Sequence, residues 1–555
     1  MNDTHQAWAF AQVDAFLDRC RPLTPWGRDE REARTVLDDP VELESRFDDT
    51  ACVLRFLTEQ AEDGIRLDKL AWHLKRMPRL PLASKDEYEI IELFQVKKFL
   101  ANYRGAASCL DPELSERFGL SPDFSSLGAD GPACATLAAE LDRGGSDMET
   151  FYLADSYDPE LGELRAALNR ADAALRADRE AYERSAEADH DLSFDGREFV
   201  VAPVDIARPL AAEPARYSLE PYDESRYVVR LLPSARALSL LEERERLGQR
   251  ERELENRVIR RLSAMAAAAL PGLKAAVTAI TRLDRARTAA VLARDASLRR
   301  PVIDAVDSSM KEARFVPCEE ECRSLGLAYT PLTASFQSGA IVLFGSNMGG
   351  KTVVLKTVLF FQLLAQAGYF VPAKEYRTRV YRGVEYVGEQ SGERLAGLSG
   401  FGFEIHRFEK VWRGTEDVLV AFDELARTTS SHEAEALLSA IVEAYATGRI
   451  AGGQSSGPSR AFFATHFRGI ARIPGAEYLR MRGLDRSAAL ECLDADTPLS
   501  ERLAGINRHM RYEIVPDDPT DDAESDALAI AAMLGLDPRL TMKARRYLAD
   551  TGTRP

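Results

Sequence analysis

Ile341-Val342-Leu343-Phe344-Gly345-Ser346-Asn347-Met348-Gly349-Gly350-Lys351-Thr352-Val353-Val354-Leu355-Lys356-Thr357-Val358 reads as strand, glycine-rich turn and helix in immediate succession. The first four residues have the apolar run of a short buried strand, and Thr352 begins a helical pattern. The spacing Gly345-x-x-x-x-Gly350-Lys351-Thr352 fits a P-loop. In such a loop, backbone N–H groups and the helix N-terminus bind phosphate oxygens, the lysine reaches the β and γ phosphates, and the hydroxyl ligates Mg2+. Glycine suits the turn because a Cβ would block close approach and disfavour positive φ. Lys351 is expected on an exposed loop, neutralising phosphate charge.

Downstream, strand and helix signals alternate, the pattern of a mostly parallel sheet with crossover helices. Val418 to Phe422 is apolar throughout and ends in Asp423-Glu424. A buried parallel strand delivers such carboxylates to the sheet edge that carries the P-loop. Asp423 is then expected to hold the Mg2+ shell and Glu424 to orient and deprotonate the attacking water. A third strand, Ala461 to Ala464, ends in Thr465-His466, placing an imidazole at the same edge to sense the γ-phosphate. Residues 452–459 read as a low-complexity loop.

Upstream the chain reads as helical. Residues 1–85 form one helical segment, with Phe10, Val13, Phe16 and Leu17 at helical spacing, and residues 86–174 a helical core containing an amphipathic helix over 86–103. Long helices over 161–188 and 235–269 enclose a small β-containing tip at 175–232 rich in proline breaks, and residues 233–300 return to the nucleotide domain through another alanine-rich helix over 270–295. That domain is placed at 301–515 and a helical tail at 516–555. The expected fold class is therefore an α/β P-loop domain preceded by an all-helical core and lever with a β-containing tip.

The 555 residues and 45% hydrophobic content suffice for several ordinary cores. No apolar run approaches the roughly 20 residues of a membrane span, and the N-terminus lacks the pattern of a signal peptide, so no membrane association and a cytoplasmic location are expected. Seven cysteines at 20, 52, 109, 134, 318, 322 and 492 fit reduced thiols better than a disulfide framework. Cys318 and Cys322 lack the second pair or histidine a zinc site needs. A net charge of −17 disfavours nucleic acid unless a local basic face exists.

These residues together resemble the MutS family of ATPases. Gly345 to Thr352, with its Asn347-Met348-Gly349-Gly350 core, is similar to that family's P-loop. Ser399-Gly400-Phe401-Gly402-Phe403-Glu404-Ile405 resembles the segment whose serine is placed against the partner subunit's nucleotide. Asp423-Glu424-Leu425-Ala426-Arg427-Thr428-Thr429-Ser430 resembles the Walker B strand end, and Phe463-Ala464-Thr465-His466-Phe467 the family's histidine switch. Residues 525–545 resemble its closing helical segment, and residues 151–161 look like the entry to its lever helices. The resemblance, covering roughly residues 85–550, implies ATP and Mg2+ as cofactors and a homodimer formed through the nucleotide domains. It implies catalytic roles for Glu424 and His466, metal ligation by Thr352 and Asp423, nucleotide contacts from Gly345, Ser346, Asn347, Met348, Gly349, Gly350, Lys351 and Thr352, and a trans contact from Ser399.

The departures bear on cargo. There is no room for the two domains that read mismatches, and the family's glycines after the Walker B glutamate are replaced by Ala426 and Thr428. Residues 175–230 carry eight arginines against thirteen acids, a net of −5 where a DNA clamp needs the opposite sign. A short N-terminus and the Ala-Arg-Thr-Thr loop resemble a MutS-like ATPase of the reactivase for cobalamin-dependent lysine 5,6-aminomutase. That implies an aminomutase and a companion reactivase subunit as protein partners. The alternatives are a clamp for branched or mismatched DNA, with weak and mismatch-independent duplex binding expected, and a nucleotide-switched scaffold.

Overall fold

The structure is a computed structural model describing residues 4–59, 64–144, 153–303, 307–345, 349–388, 400–413, 417–448, 459–485, 499–518 and 526–551. It divides into two compact units, Met1–Asp68 with Thr281–Pro555, and Lys69–Ile280.

The second unit is built on an antiparallel helix pair. The helix Pro159–His190 starts cleanly because the Asp158 carboxylate accepts from the Glu160 N–H and Pro159 occupies the first turn. It lies along the first part of Ala235–Asp295. Arg165 bonds Glu251 at 2.8 Å and Glu255 at 2.7 Å, Arg244 meets Asp172 at 2.5 Å, and Ser234 donates to Asp178 at 2.6 Å. The pair ends in a three-stranded antiparallel sheet, β1 (Phe199–Pro203), β2 (Tyr217–Pro221) and β3 (Arg226–Leu231), in the order β1-β3-β2. Ala186, Phe194, Ala202, Leu210, Tyr217 and Val229 form its small core.

One expectation is corrected in this helix. Separate helices over 235–269 and 270–295 are one 61-residue helix with Pro271 inside it. Proline removes one hydrogen bond of the ladder, and the buried neighbours Ala269, Leu270 and Leu273 hold the turn together. The same helix also contains a window apolar enough, by length and composition only, to cross a membrane, with a mean hydropathy of 1.4 and 44% of it buried within the protein. Its alanines carry that average, which is why no long run of large apolar residues signals it.

The first unit contains two sheets. A four-stranded sheet has the order β4-β8-β5-β6, from β4 (Val302–Ile303), β5 (Ser308–Ala313), β6 (Leu332–Phe336) and β8 (Glu375–Thr378). The six-stranded sheet comprises β7 (Ala340–Phe344), β9 (Gly383–Val387), β10 (Val418–Asp423), β11 (Arg460–Thr465), β12 (Ala476–Leu484) and β13 (Met510–Pro516), ordered β13-β12-β7-β11-β10-β9. All its pairings are parallel except β12 with β13. Strands buried on both faces read as continuous apolar runs, which explains the sequence signal at β7, β10 and β11. Ile341, Leu343, Leu419 and Phe462 face the P-loop helix Lys351–Gln366, whereas Ala340, Val342, Val420 and Phe463 face the helix Ser431–Ala446.

The N-terminal helices belong to this core instead of standing as a segment of their own up to residue 85. Ala7, Trp8, Phe16, Leu17, Leu43 and Phe47 are buried in one cluster with Leu355, Leu359, Phe360 and Phe370. A buried amide pair seals the join. Gln366 Nε2 donates to the carbonyls of Leu37 at 2.7 Å and Tyr381 at 2.6 Å, its Oε1 accepts from the Tyr381 N–H, and Gln362 Oε1 accepts from Tyr376 and Thr378 hydroxyls. Asp284, fully buried, accepts from the Leu23 and Thr24 backbone N–H groups and from the Thr24 hydroxyl. Near the C-terminus, Ile530 and Met533 pack with Leu484, Ile506 and Met510, and the final helix Pro538–Thr551 leaves Leu540, Met542 and Tyr547 exposed.

Replacing Gln366 by leucine leaves two carbonyls and an N–H buried without their partner, at about 1–3 kcal/mol per group. Urea denaturation of Gln366→Leu is expected to show a loss of about 3 kcal/mol, against less than about 0.5 kcal/mol for the exposed Thr58→Ala.

Candidate functional site

Three parallel-strand ends and one helix start converge at a single sheet edge. β7 ends at Phe344, and the chain re-enters as helix at Lys351 with Gly350 as the preceding residue at φ 90, a conformation natural only to glycine. β10 pairs with β11, bringing Asp423 level with Ala464, and β11 pairs with β7, bringing Thr465 level with Phe344. Asp423, Glu424 and His466 thereby reach the P-loop although they are distant in sequence.

Thr352 Oγ1 donates to Asp423 Oδ2 at 3.1 Å. Lys351 Nζ donates to the Gly345 carbonyl at 2.7 Å and stands 3.8 Å from Glu424 Oε1. His466 Nδ1 lies 3.7 Å from the same Glu424 oxygen, and Arg427 Nη1 lies 3.8 Å from the other. Lys351 departs from expectation: it is 3% exposed instead of sitting on an exposed loop. As the first residue of the helix it turns its side chain back to the Gly345 carbonyl, just after β7. Burial lowers its pKa, opposed by the attraction of Glu424 and Asp423, while burial raises that of Asp423, opposed by the Thr352 hydrogen bond. Ser346, Asn347, Met348 and Ser399 lie outside the described residues.

The loop after β10 is strained. Glu424 and Ala426 adopt positive φ of 54 and 64, although neither is glycine. Glu404, on the helix Gly400–Trp412, holds the loop by accepting from the Ala426 N–H at 2.9 Å and the Thr428 hydroxyl at 3.4 Å. The Glu424 N–H in turn donates to the Ala464 carbonyl at 2.9 Å.

Two cavities open from this edge. One, of about 450 Å3, is lined among others by Thr352, Asp423, Glu424, Arg427, Lys356 and Phe10. The other, of about 270 Å3, lies beyond Gly350 and Thr352 and is walled by Cys318, Cys322, Tyr329, Met481 and Tyr512. Cys318 and Cys322 share one helix, and burial, with the neighbouring thiol, pushes the Cys318 thiol up to about 12. Among the described residues no group of three or more His, Cys, Asp or Glu is arranged to hold a metal, and six cysteines are free thiols. Sequence reading missed Phe10, Lys356, Glu404 and Arg427 as cavity or loop residues. Arg427 and Glu404 lay within the quoted motifs, whereas nothing local marks Phe10.

Thr352 and Asp423 supply hard oxygen donors within hydrogen-bonding distance of each other. The pair fits Mg2+, which takes a hydroxyl, a carboxylate and phosphate oxygens, because Thr352 Oγ1 and the partly buried Asp423 Oδ2 stand together at the cavity.

Comparison with known proteins agrees with this geometry. The family model for MutS domain V matches residues 341–487. The chain is 32% identical over 211 residues to the DNA mismatch repair protein MutS of Caulobacter vibrioides, covering 36% of this chain and 22% of that protein. It is 25% identical over 310 residues to the endonuclease MutS2 of Caldicellulosiruptor bescii, covering 55% and 35%. To the DNA mismatch repair protein MutS of Methanothrix thermoacetophila it is 25% identical over 385 residues, covering 66% and 43%. The chain thus spans less than half the length of each of these relatives. With a strand-to-helix phosphate-loop junction, two strand-end carboxylates and a histidine on one parallel edge, and the MutS domain V model matched across them, residues 341–487 form a MutS-type domain V.

Proposed function

We propose that the chain is a MutS-type ATPase that binds ATP with Mg2+, hydrolyses it to ADP and phosphate, and works as a homodimeric conformational motor in the cytoplasm. The observation carrying this reading is the Lys351–Glu424–His466 cluster beside the Thr352–Asp423 pair. Lys351 exchanges its Gly345 carbonyl contact for the β and γ phosphates. Thr352 and Asp423 hold Mg2+, whose chemistry is to neutralise charge on the transferring phosphoryl group. Glu424 takes the proton of the attacking water, and His466, on the same oxygen of Glu424, reports the state of the γ-phosphate. The nucleotide base occupies the cavity walled by Tyr329, Met481 and Tyr512, and Ser346, Asn347, Met348 and Gly349 complete the phosphate loop. Free thiols favour a reducing compartment.

For the cargo, the relatives' names favour DNA: two are mismatch repair proteins and one an endonuclease. None speaks for remodelling of a cobalamin-dependent aminomutase. The protein-partner reading is retained on one observation, the net −5 of residues 175–230, which opposes phosphate binding.

Glu424→Gln is expected to bind a fluorescent ATP analogue with native affinity and to hydrolyse ATP at least about a hundredfold more slowly. Native turnover in this variant removes Glu424 as the base. If Ser399 contacts the partner's nucleotide, mixing Ser399→Arg with Lys351→Met restores part of the rate by assembling one intact site per heterodimer. A titration without recovery argues against a composite site. ATPase rate and fluorescence anisotropy with homoduplex, mismatched and four-way-junction DNA, set against the rate with a cobalamin-dependent aminomutase, separate the two cargos. Nanomolar junction binding lost in Arg176→Glu/Arg179→Glu/Arg184→Glu selects DNA, and stimulation by the aminomutase alone selects the protein.

A further inference from the structure

The N-terminal helix Thr4–Phe10 supplies one wall of the metal-side cavity. Phe10 is only half-buried, unlike its helix neighbours Ala7 and Trp8, because one side of its ring faces that cavity. The ring stacks on Tyr386, near the end of β9, with centroids 3.7 Å apart and planes 14° apart. On Phe10 stands the Lys356 ammonium, 5.4 Å from the ring centroid. Lys356 lies one turn beyond Thr352 in the P-loop helix and lines the same cavity as Asp423 and Glu424. The Asp423 carboxylate in that cavity is hydrogen-bonded by Thr352 and not by Lys356.

The wall is anchored at its other end. Arg407, buried on the helix that carries Glu404, donates to the carbonyls of Gly388 at 3.1 Å and Tyr386 at 3.3 Å and to the side-chain oxygen of Gln6. A Cβ at Gly388 would lie 2.2 Å from the Tyr386 hydroxyl and 3.1 Å from Asp423 Cβ, so the tyrosine, this glycine and the aspartate are packed without slack. The stack therefore has a fixed back and one movable member, the lysine.

A lysine with a four-carbon stem within the field of a metal-binding carboxylate is a competitor for that carboxylate. An aromatic face offers the ammonium an alternative seat that leaves the carboxylate open. We propose that Phe10 is a positioning residue for the metal half of the nucleotide site, its ring seating the Lys356 ammonium so that Asp423 stays available to Mg2+. On this account the docked N-terminal helix is a working part of the ATPase, and displacing it disables metal-dependent nucleotide binding. The inference rests on the nucleotide-site reading above.

The test uses the full chain and a fluorescent ATP analogue, titrated with Mg2+ and separately bound in EDTA. Phe10→Ala is expected to raise the half-saturating Mg2+ concentration about tenfold while leaving affinity in EDTA unchanged. Phe10→Tyr, which keeps the ring, is expected to behave as the native chain. Adding Lys356→Gln to Phe10→Ala is expected to return the Mg2+ requirement to the native value or below, because the competitor is gone. A structural role for Phe10 has no such rescue. An unmoved Mg2+ requirement in Phe10→Ala, or a double variant as impaired as the single one, overturns the proposal. If Phe10→Ala does not fold, Phe10→Leu, which keeps an apolar side chain but removes the aromatic face, decides: a raised Mg2+ requirement supports the proposal and an unmoved one overturns it. A native chain without Mg2+-dependent nucleotide binding overturns the nucleotide-site reading itself, a result distinct from failure of the variants.

Discussion

One buried lysine tied to a backbone carbonyl and a strand-end carboxylate at the edge of a parallel sheet is the constraint on which the site depends. Lys351 is almost fully buried, and its ammonium is satisfied by the Gly345 carbonyl and by Glu424. Burial works against its charge and against that of Asp423, so each ion persists because the other side of the cluster supports it. Such a cluster responds strongly to a bound polyanion and its metal, since each replaces a partner that the free protein has to supply from within.

That constraint requires a rigid helix behind the lysine. The helix Lys351–Gln366 is packed on nearly every side, by the sheet on one and by the N-terminal helices on another. Its two glutamines are buried, which is costly unless every polar atom finds a partner. They do so by bonding the chain at Leu37, Arg379 and Tyr381. Each such bond contributes only about 1 kcal/mol, but together they fix the rotation of the helix and so the direction in which Lys351 leaves it.

The loop after β10 shows the opposite use of energy. Glu424 and Ala426 are held at positive φ, which costs a non-glycine residue about 1–2 kcal/mol. Alanine at 426 retains the turn because Glu404 grips its N–H. The Glu424 carboxylate at this turn faces Lys351 and His466, and Glu404 ties the loop to the helix Gly400–Trp412.

Much of the nucleotide domain was legible in the sequence because its signals are local. Glycine spacing and doubly buried strands leave marks in consecutive residues, so Gly345 to Thr352 and Val418 to Glu424 announced a phosphate loop and a strand-end acid pair. The long helix Ala235–Asp295 was legible only as two helices, over 235–269 and 270–295, and the structure joins them through Pro271. What only the tertiary structure decided is which distant segments share a surface. Phe10 reads as one apolar position on a short helix, and its role follows from the docking of that helix on β9, far along the chain. The burial of Lys351 is likewise absent from its motif, because desolvation is set by everything packed around a side chain and not by its neighbours in sequence.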